Sequence, residues 1–216
     1  DFGPEADDYK KKNSDMKQLT WIERRIKTGQ LLAKNELTFL YELNSPIEGF
    51  GYDRDPRIKE LQQQRDVEKD MLILFECKEN QIAHNPKEIT KNTKAYVGEL
   101  KPGIFELAQL YNIEHIYTFF PGGRIRMEKV EIGGKDVEAL KLELEKNKIN
   151  ISDYVKDMLN SRDFTTLENP EKINLVRLKV RDLGFKEGAT TEQIFNKAEE
   201  LGLELCPAEV GPRLRL

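Results

Sequence analysis

Cysteine and histidine are scarce in this sequence, with two of each among 216 residues. Cys77 and Cys206 stand far apart in the chain, so a disulfide framework is excluded and a reducing cytoplasm is the expected compartment. A structural zinc site needs about four thiolate or imidazole ligands in closely spaced pairs such as C-x-x-C, and the sequence has no such pair. We therefore predict no metal site and no cofactor.

Long apolar segments are also lacking. The longest apolar runs are "MLILF" (71–75) and "IYTFF" (116–120), far short of the about 20 residues that span a bilayer. The formal net charge of −4 removes a global electrostatic attraction to nucleic acid. These properties exclude a membrane partner and leave the choice of other partners to local features.

Recognisable catalytic motifs are absent as well. "GGKD" (133–136) lacks the spacer and the following Ser or Thr of a phosphate-binding loop, and Asp55 in "DRD" (53–55) is explained as the N-cap before Pro56. We predict no catalytic residue. One enzymatic alternative stays open, with Cys206 and Glu209 in a cleft; the structural interpretation makes Cys206 a small buried residue at a turn, with Glu209 at its exposed tip.

What the sequence does have is charge and helical periodicity. Charged residues make up 34% and hydrophobic residues 38%, a balance typical of helix-rich proteins with long solvated faces. We predict an α+β fold, predominantly helical, with a small β-α-β-β unit in the middle and a C-terminal strand. The predicted segments are a disordered tail over 1–13, a helical region over 14–92, the β-α-β-β unit over 93–134 and a second helical region over 135–216 that ends in the strand.

The first helical region begins with apolar residues at steps of three and four, which predict one long amphipathic helix over 14–43. Four further apolar side chains lie off its main stripe: Trp21, Leu31, Phe39 and Tyr41. Because that extra apolar surface needs a cover, it predicts a protein partner or a homo-oligomer through the N-terminal helix.

The later elements are predicted from caps and alternation. "KAYVG", "IEHIYTFF" and "RIRMEKVEI" are expected to be strands, with a helix opened by Pro102 between the first two. Helices are expected after Asp136, after Ser152, from Asn169-Pro170 to Gly184, and after Thr190 with Gln193 in a capping box and Phe195 inward. The closing "RLRL" is expected to be a strand with Leu214 and Leu216 inward.

Residues 170–216 then read as helix, turn, helix, loop and strand, an order that resembles a winged helix and gives an alternative nucleic-acid-binding function. The last helix is acidic and would repel duplex phosphates, so nucleic acid is not favoured. The basic residues that would serve this alternative are Lys172, Arg177, Lys179, Arg181, Arg213 and Arg215.

Three stretches, "IEGFGYDRDPRIKEL", "SDYVKDML" and above all "GATTEQIFNKAEELGLELCPAEVGP", resemble a family of uncharacterised bacterial proteins, found mostly in genomes of small uncultivated bacteria. The similarity covers most of residues 36–216. It implies no activity, cofactor or catalytic residue. It implies that members continue beyond "LRL" into further strands, so we expect the chain to end inside a small β element.

The function predicted from the residues alone is a non-catalytic cytoplasmic protein-interaction module.

Overall fold

The computed structural model describes residues 3–216. The described residues form an α+β fold rich in helix, which confirms the predicted fold class. They divide into two compact units. The first comprises the chain up to Glu99 together with Leu107–Arg124, and the second comprises Leu100–Glu106 and Ile125–Leu216. Within residues 3–216, no helix is both long enough and apolar enough to cross a membrane.

The first unit combines helices with a small parallel sheet. Its helices are α1 (Gly3–Lys27), α2 (Lys34–Leu40), α3 (Pro56–Gln63) and α4 (Val67–Leu74). Its strands are β1 (Ile82–Ala83), β2 (Ala95–Val97) and β3 (His115–Tyr117), with 3₁₀ turns at Glu79–Gln81 and Pro86–Glu88. The chain passes from one unit to the other within α5 (Ile104–Leu110).

The three strands of this unit pair in parallel. Ile82 lies opposite Ala95, and Ala95 lies opposite His115. Helices α1 to α4 form an apolar core against one face of this sheet, the face that carries Ala95 and Tyr117. The buried side chains of that core are Leu19, Ile22, Leu32, Leu37, Leu40, Tyr41, Ile47, Ile58, Leu61, Met71, Leu74, Phe75, Ala95 and Tyr117.

The N-terminal helix differs from its prediction. Residues 3–13, for which the sequence predicts a disordered tail, form the first turns of α1, supported by ion pairs such as Lys12 with Asp8 at 2.7 Å. Residues 1 and 2 of that predicted tail lie outside the described residues. The prediction of one continuous helix over 14–43 is wrong: α1 ends at Lys27 and Gly29 adopts a left-handed φ of +70°. Such a backbone ends a helix because a Cβ is disfavoured there.

The second unit contains β4 (Arg124–Ile132) from Ile125 onward. It also contains α6 (Val137–Lys146), α7 (Asp153–Asn160), β5 (Glu171–Arg177), a 3₁₀ turn at Val180–Leu183, α8 (Thr191–Glu200) and α9 (Val210–Arg213). The helix predicted from Asn169 to Gly184 is wrong, because β5 pairs antiparallel with β4 and places Val130 opposite Ile173. Cross-strand pairing outweighs the helical spacing of the apolar residues in this segment.

Several caps of this unit are confirmed. Asp136 accepts a hydrogen bond from Ala139 N–H at 2.8 Å, Ser152 caps α7, and Thr190 and Gln193 form the predicted capping box of α8. The predicted terminal strand is wrong: Val210–Arg213 is a short helix, and Leu214 and Leu216 are exposed rather than inward. The local cause is a turn of helical hydrogen bonds, from Arg213 N–H to Glu209 O and from Leu214 N–H to Val210 O.

Candidate functional site

The four apolar residues predicted to bind a partner do not form one surface. Trp21 is 54% exposed on α1 and Leu31 is 80% exposed in the segment after it. Phe39 is half-buried against the core of the first unit. Tyr41 is buried, and its hydroxyl donates a hydrogen bond of 2.8 Å to the carboxylate of Asp70. The break after Lys27 separates these side chains, and Trp21 is left as an exposed aromatic side chain on α1.

Two cations flank Trp21 on α1. Lys17 lies four residues before Trp21 and Arg24 three residues after it, so the three side chains share one face of the helix. Both cations are exposed, and within residues 3–216 neither makes an ion pair with a carboxylate. We call Lys17, Trp21 and Arg24 the α1 face.

The carboxylate nearest to this face along α1 is already neutralised. Glu23 accepts from Lys27 Nζ at 2.6 Å and from Arg57 Nη1 at 3.2 Å. These hydrogen bonds, Lys27 first, hold the pKa of the Glu23 carboxyl below its usual range. The excess positive charge of Lys17 and Arg24 is therefore left uncompensated on the helix itself.

The C-terminal end of α1 is held by a partly buried ion pair. Arg25 Nη1 donates to Glu36 Oε1 at 2.9 Å, and Arg25 Nη2 donates to the carbonyl of Leu31 at 2.6 Å. Glu36, on α2, also accepts from the backbone N–H of Ala33 at 2.7 Å. One guanidinium therefore binds both the segment after α1 and helix α2, and it holds the end of α1 in place.

The basic residues of the nucleic-acid alternative are spread over several elements. Lys172 and Arg177 lie on β5, and Lys179 and Arg181 lie at the 3₁₀ turn that follows it. The winged-helix prediction for 170–216 is wrong, because its first helix is a strand. Arg213 is largely buried and donates to the carbonyl of Gly133 at 2.7 Å; Arg215 is exposed at the C-terminal end of the described chain.

The solvent exposure of Glu209 and of Cys206 is the reverse of the prediction. Glu209, expected at an exposed tip, is fully buried; its carboxylate accepts from Gly133 N–H and from Leu167 N–H, each at 2.8 Å. Cys206, expected to be buried, is exposed. Glu209 and Arg213 are four residues apart, the spacing of an ion pair on one side of a helix. Pro207 and Pro212 indicated a turn instead of a helix, so the pair was not predicted from the sequence.

Concave surfaces are present on the first unit. A cavity of about 550 Å³ beside the loop 46–54 is lined by Lys12, Glu42 and Arg54, and an ion pair joins Arg54 to Glu42. A second, of about 390 Å³, is lined by Glu68 and His84. Among the residues that the structure describes, no group of three or more His, Cys, Asp or Glu side chains could hold a metal ion.

A second exposed helical face lies on α8 and was missed from the sequence. Phe195, predicted to point inward, is 45% exposed. Glu192 and Glu199 are three residues before it and four after it, and both are exposed. In the sequence, these carboxylates were interpreted only as an argument against DNA binding. We call Glu192, Phe195 and Glu199 the α8 face.

Comparison of the chain with models of known protein families, with curated proteins and with solved structures found no match.

Proposed function

We propose that this protein is a non-catalytic interaction module that binds a protein partner through the α1 face. The observation that supports this function best is the exposed Trp21 ring between two cations, Lys17 and Arg24, that make no ion pair within residues 3–216. Tryptophan and arginine are the side chains that most often dominate binding at protein interfaces, because they bury a large area and keep a polar group for orientation.

The chemistry of the face indicates the chemistry of the partner. Lys17 and Arg24 are seven residues apart, which places their attachment points about 10 Å apart along one side of the helix. A partner that covers Trp21 with an apolar surface and offers a carboxylate on each side would be complementary in shape and charge. Charge complementarity of this kind raises the association rate and excludes basic partners.

A non-catalytic role in the cytoplasm is part of the same proposal. Glu209 has both carboxylate oxygens bound by backbone N–H groups, which argues against a general base beside Cys206. The exposed thiol of Cys206 suits a reducing compartment, where it persists without forming a disulfide.

Affinity purification with variants of the immobilised chain tests the proposal. The wild type, Trp21→Ala with Arg24→Glu, and Tyr52→Ala as a control at another exposed aromatic are incubated with lysate of the cells that produce the protein. Quantitative mass spectrometry compares the retained proteins. We expect a partner that the wild type and the control retain and that the double variant loses by about tenfold or more, since a tryptophan anchor contributes more than about 1.4 kcal/mol. An identical set of retained proteins for all three baits would overturn the proposal.

A further inference from the structure

The α8 face is the electrostatic opposite of the α1 face. Phe195 is an exposed aromatic side chain, and the carboxylates of Glu192 and Glu199 flank it. Among residues 3–216 no cation pairs with either carboxylate. Lys197, on the other side of the helix, pairs with Glu200 at 2.8 Å, so it does not neutralise the face.

The charges of the two faces meet when the helices run parallel with Trp21 against Phe195. The α1 face has a cation four residues before its aromatic residue and a cation three residues after it. The α8 face has a carboxylate three residues before its aromatic residue and one four residues after it. At about 100° per residue, both cations lie about 50° to one side of Trp21, and both carboxylates lie about 50° to the opposite-handed side of Phe195. When the helices run parallel, these sides face each other. Lys17 then lies beside Glu192 and Arg24 beside Glu199, each pair offset by one residue, or about 1.5 Å, along the axis. Antiparallel helices would place the cations and the carboxylates on opposite sides of the aromatic contact.

We propose that a second copy of this chain is a partner of the α1 face, and that it binds through its α8 face in this parallel arrangement. The inference rests on the proposed function, because it assigns an occupant to the same α1 face. Both faces are exposed, and the proposed contact is between two molecules. Charge complementarity selects this occupant: an acidic, aromatic helix of matching spacing is present on the chain itself.

The supports of the two faces favour such a contact. The capping box at Thr190 and Gln193 fixes the first turn of α8, and buried Leu201 anchors its end. The Arg25–Glu36 pair fixes the end of α1. Because both helices are formed before association, binding pays for side-chain ordering without folding a segment.

The contact is small and its ion pairs are exposed, so self-association should be weak and sensitive to salt. We expect association in the range of about 10 µM to about 1 mM. It should weaken as NaCl rises from about 0.05 M to about 0.5 M, because screening shortens the reach of the charges to a few ångströms.

Sedimentation equilibrium of charge-reversed chains tests the pairing. One variant carries Lys17→Glu with Arg24→Glu, and the other carries Glu192→Lys with Glu199→Lys. A control, Lys91→Glu with Lys186→Glu, changes the net charge of the chain by the same amount as the first variant at two exposed lysines outside both faces. Circular dichroism checks that all chains are folded, and Trp21 fluorescence reports burial of the ring.

We expect the wild type and the control to gain mass with concentration, and each reversed variant alone to remain monomeric. An equal mixture of the two reversed variants should regain the mass and the Trp21 signal, because the unchanged α1 face of one meets the unchanged α8 face of the other, and the two reversed faces are complementary as well. A wild type that stays monomeric at low salt, or a mixture that does not recover, would overturn the inference. If the α1 face still retains another protein in affinity purification, the proposed function stands without self-recognition; if neither occurs, both fall.

Discussion

The backbone N–H of Gly133 donates a hydrogen bond of 2.8 Å to the side chain of Glu209, 76 positions later in the chain. The same carboxylate accepts from Leu167 N–H at 2.8 Å, and Arg213 returns a hydrogen bond to the carbonyl of Gly133. A fully buried carboxylate therefore joins the end of β4, the segment before β5 and α9. The ends of these elements depend on one another through a single side chain.

Glu209→Ala should lower the free energy of unfolding by about 3 kcal/mol, because it leaves the buried Gly133 N–H and the partly buried Leu167 N–H without an acceptor and Arg213 without its neighbouring charge. Glu209→Gln should cost less, since the amide keeps one acceptor oxygen. Urea unfolding measures both. Glu204→Ala, at an exposed glutamate nearby, is the control and should change stability by less than about 0.5 kcal/mol. Equal stability of the alanine variants at 204 and 209 would contradict the role of the buried carboxylate.

Gly133→Ala should destabilise the protein more than Gly29→Ala. The two glycines have similar left-handed φ values, +76° and +70°, so the backbone strain of an alanine is comparable and about 1 kcal/mol. A Cβ at Gly133 would lie 2.2 Å from the carbonyl oxygen of Asn169, whereas a Cβ at Gly29 meets nothing within 4 Å. Thermal and urea unfolding of the two variants would measure the steric part as a difference. A Gly133→Ala variant no less stable than Gly29→Ala would show that Asn169 can move away.

Alkaline solution should destabilise the fold through Tyr96. Burial raises the pKa of the Tyr96 hydroxyl to about 12, and the hydroxyl donates to the carbonyl of Glu99 at 2.6 Å. A raised folded-state pKa means that the stabilisation is present below the unfolded value of about 10 and is lost as the pH rises toward 12. The free energy of unfolding should fall by up to about 1.4 kcal/mol per pH unit in that window from this group.

Tyr96→Phe should flatten this alkaline slope, although it also removes the hydrogen bond and so lowers stability at neutral pH. Tyr52→Phe, at a fully exposed ring, serves as the control and should leave the slope unchanged. Urea unfolding at intervals between about pH 9 and about pH 12 provides the measurement. An unchanged slope in Tyr96→Phe would remove Tyr96 as the cause.

Mild acid should destabilise the protein through His115. Its ring stacks on Phe75 with centroids 4.5 Å apart, and desolvation lowers its pKa, with Arg124, Lys34 and Lys94 acting in the same direction and Glu114 against it. A lowered folded-state pKa means that stability is present above the unfolded value of about 6.5 and is lost as the pH falls below it. Unfolding of the wild type and of His115→Phe, which keeps a stacked ring, should show a flatter profile for the variant between about pH 5 and about pH 7. Parallel profiles would contradict this assignment.

The two thiols should react at different rates. Cys206 is exposed and Cys77 is half-buried, and burial raises the pKa of the Cys77 thiol. Since the thiolate is the reactive form, a chromogenic disulfide reagent at neutral pH should modify Cys206 in a fast phase and Cys77 in a slow phase. Cys206→Ser should remove the fast phase and Cys77→Ser the slow one. A fast phase that survives in Cys206→Ser would reverse the assignment.

Local signals in the sequence predicted much of the helical structure. Asp55, Asp136, Ser152 and Thr190 cap helices as expected, because a capping side chain acts within three or four residues of its own position. The strand over Arg124–Ile132 was also predicted, from alternation and the preceding turn residues. These features need no knowledge of distant parts of the chain.

The features that the sequence did not predict depend on distant partners or on one backbone angle. Ile173 and Val176 fit a helical spacing, and pairing with β4 makes them part of a strand. Gly29 fits inside a long amphipathic pattern, and its left-handed φ ends α1 there. Glu209 looked like a turn residue because its two N–H partners, at Gly133 and Leu167, are far away in the sequence. Of the residues predicted to bind a partner, Trp21 is exposed, whereas Tyr41 is buried in the core of the first unit.

The α1 face and the α8 face are different surfaces, and this determines how an assembly of several copies of the chain grows. A contact between identical patches is complete once two molecules meet, but a contact between unlike patches leaves each pair with one unused patch of each kind. Each added molecule covers one unused patch of the assembly and brings an unused patch of the same kind with it. Assembly of this kind stops when the rotation per molecule closes a ring, and otherwise extends as a filament whose average length follows protein concentration.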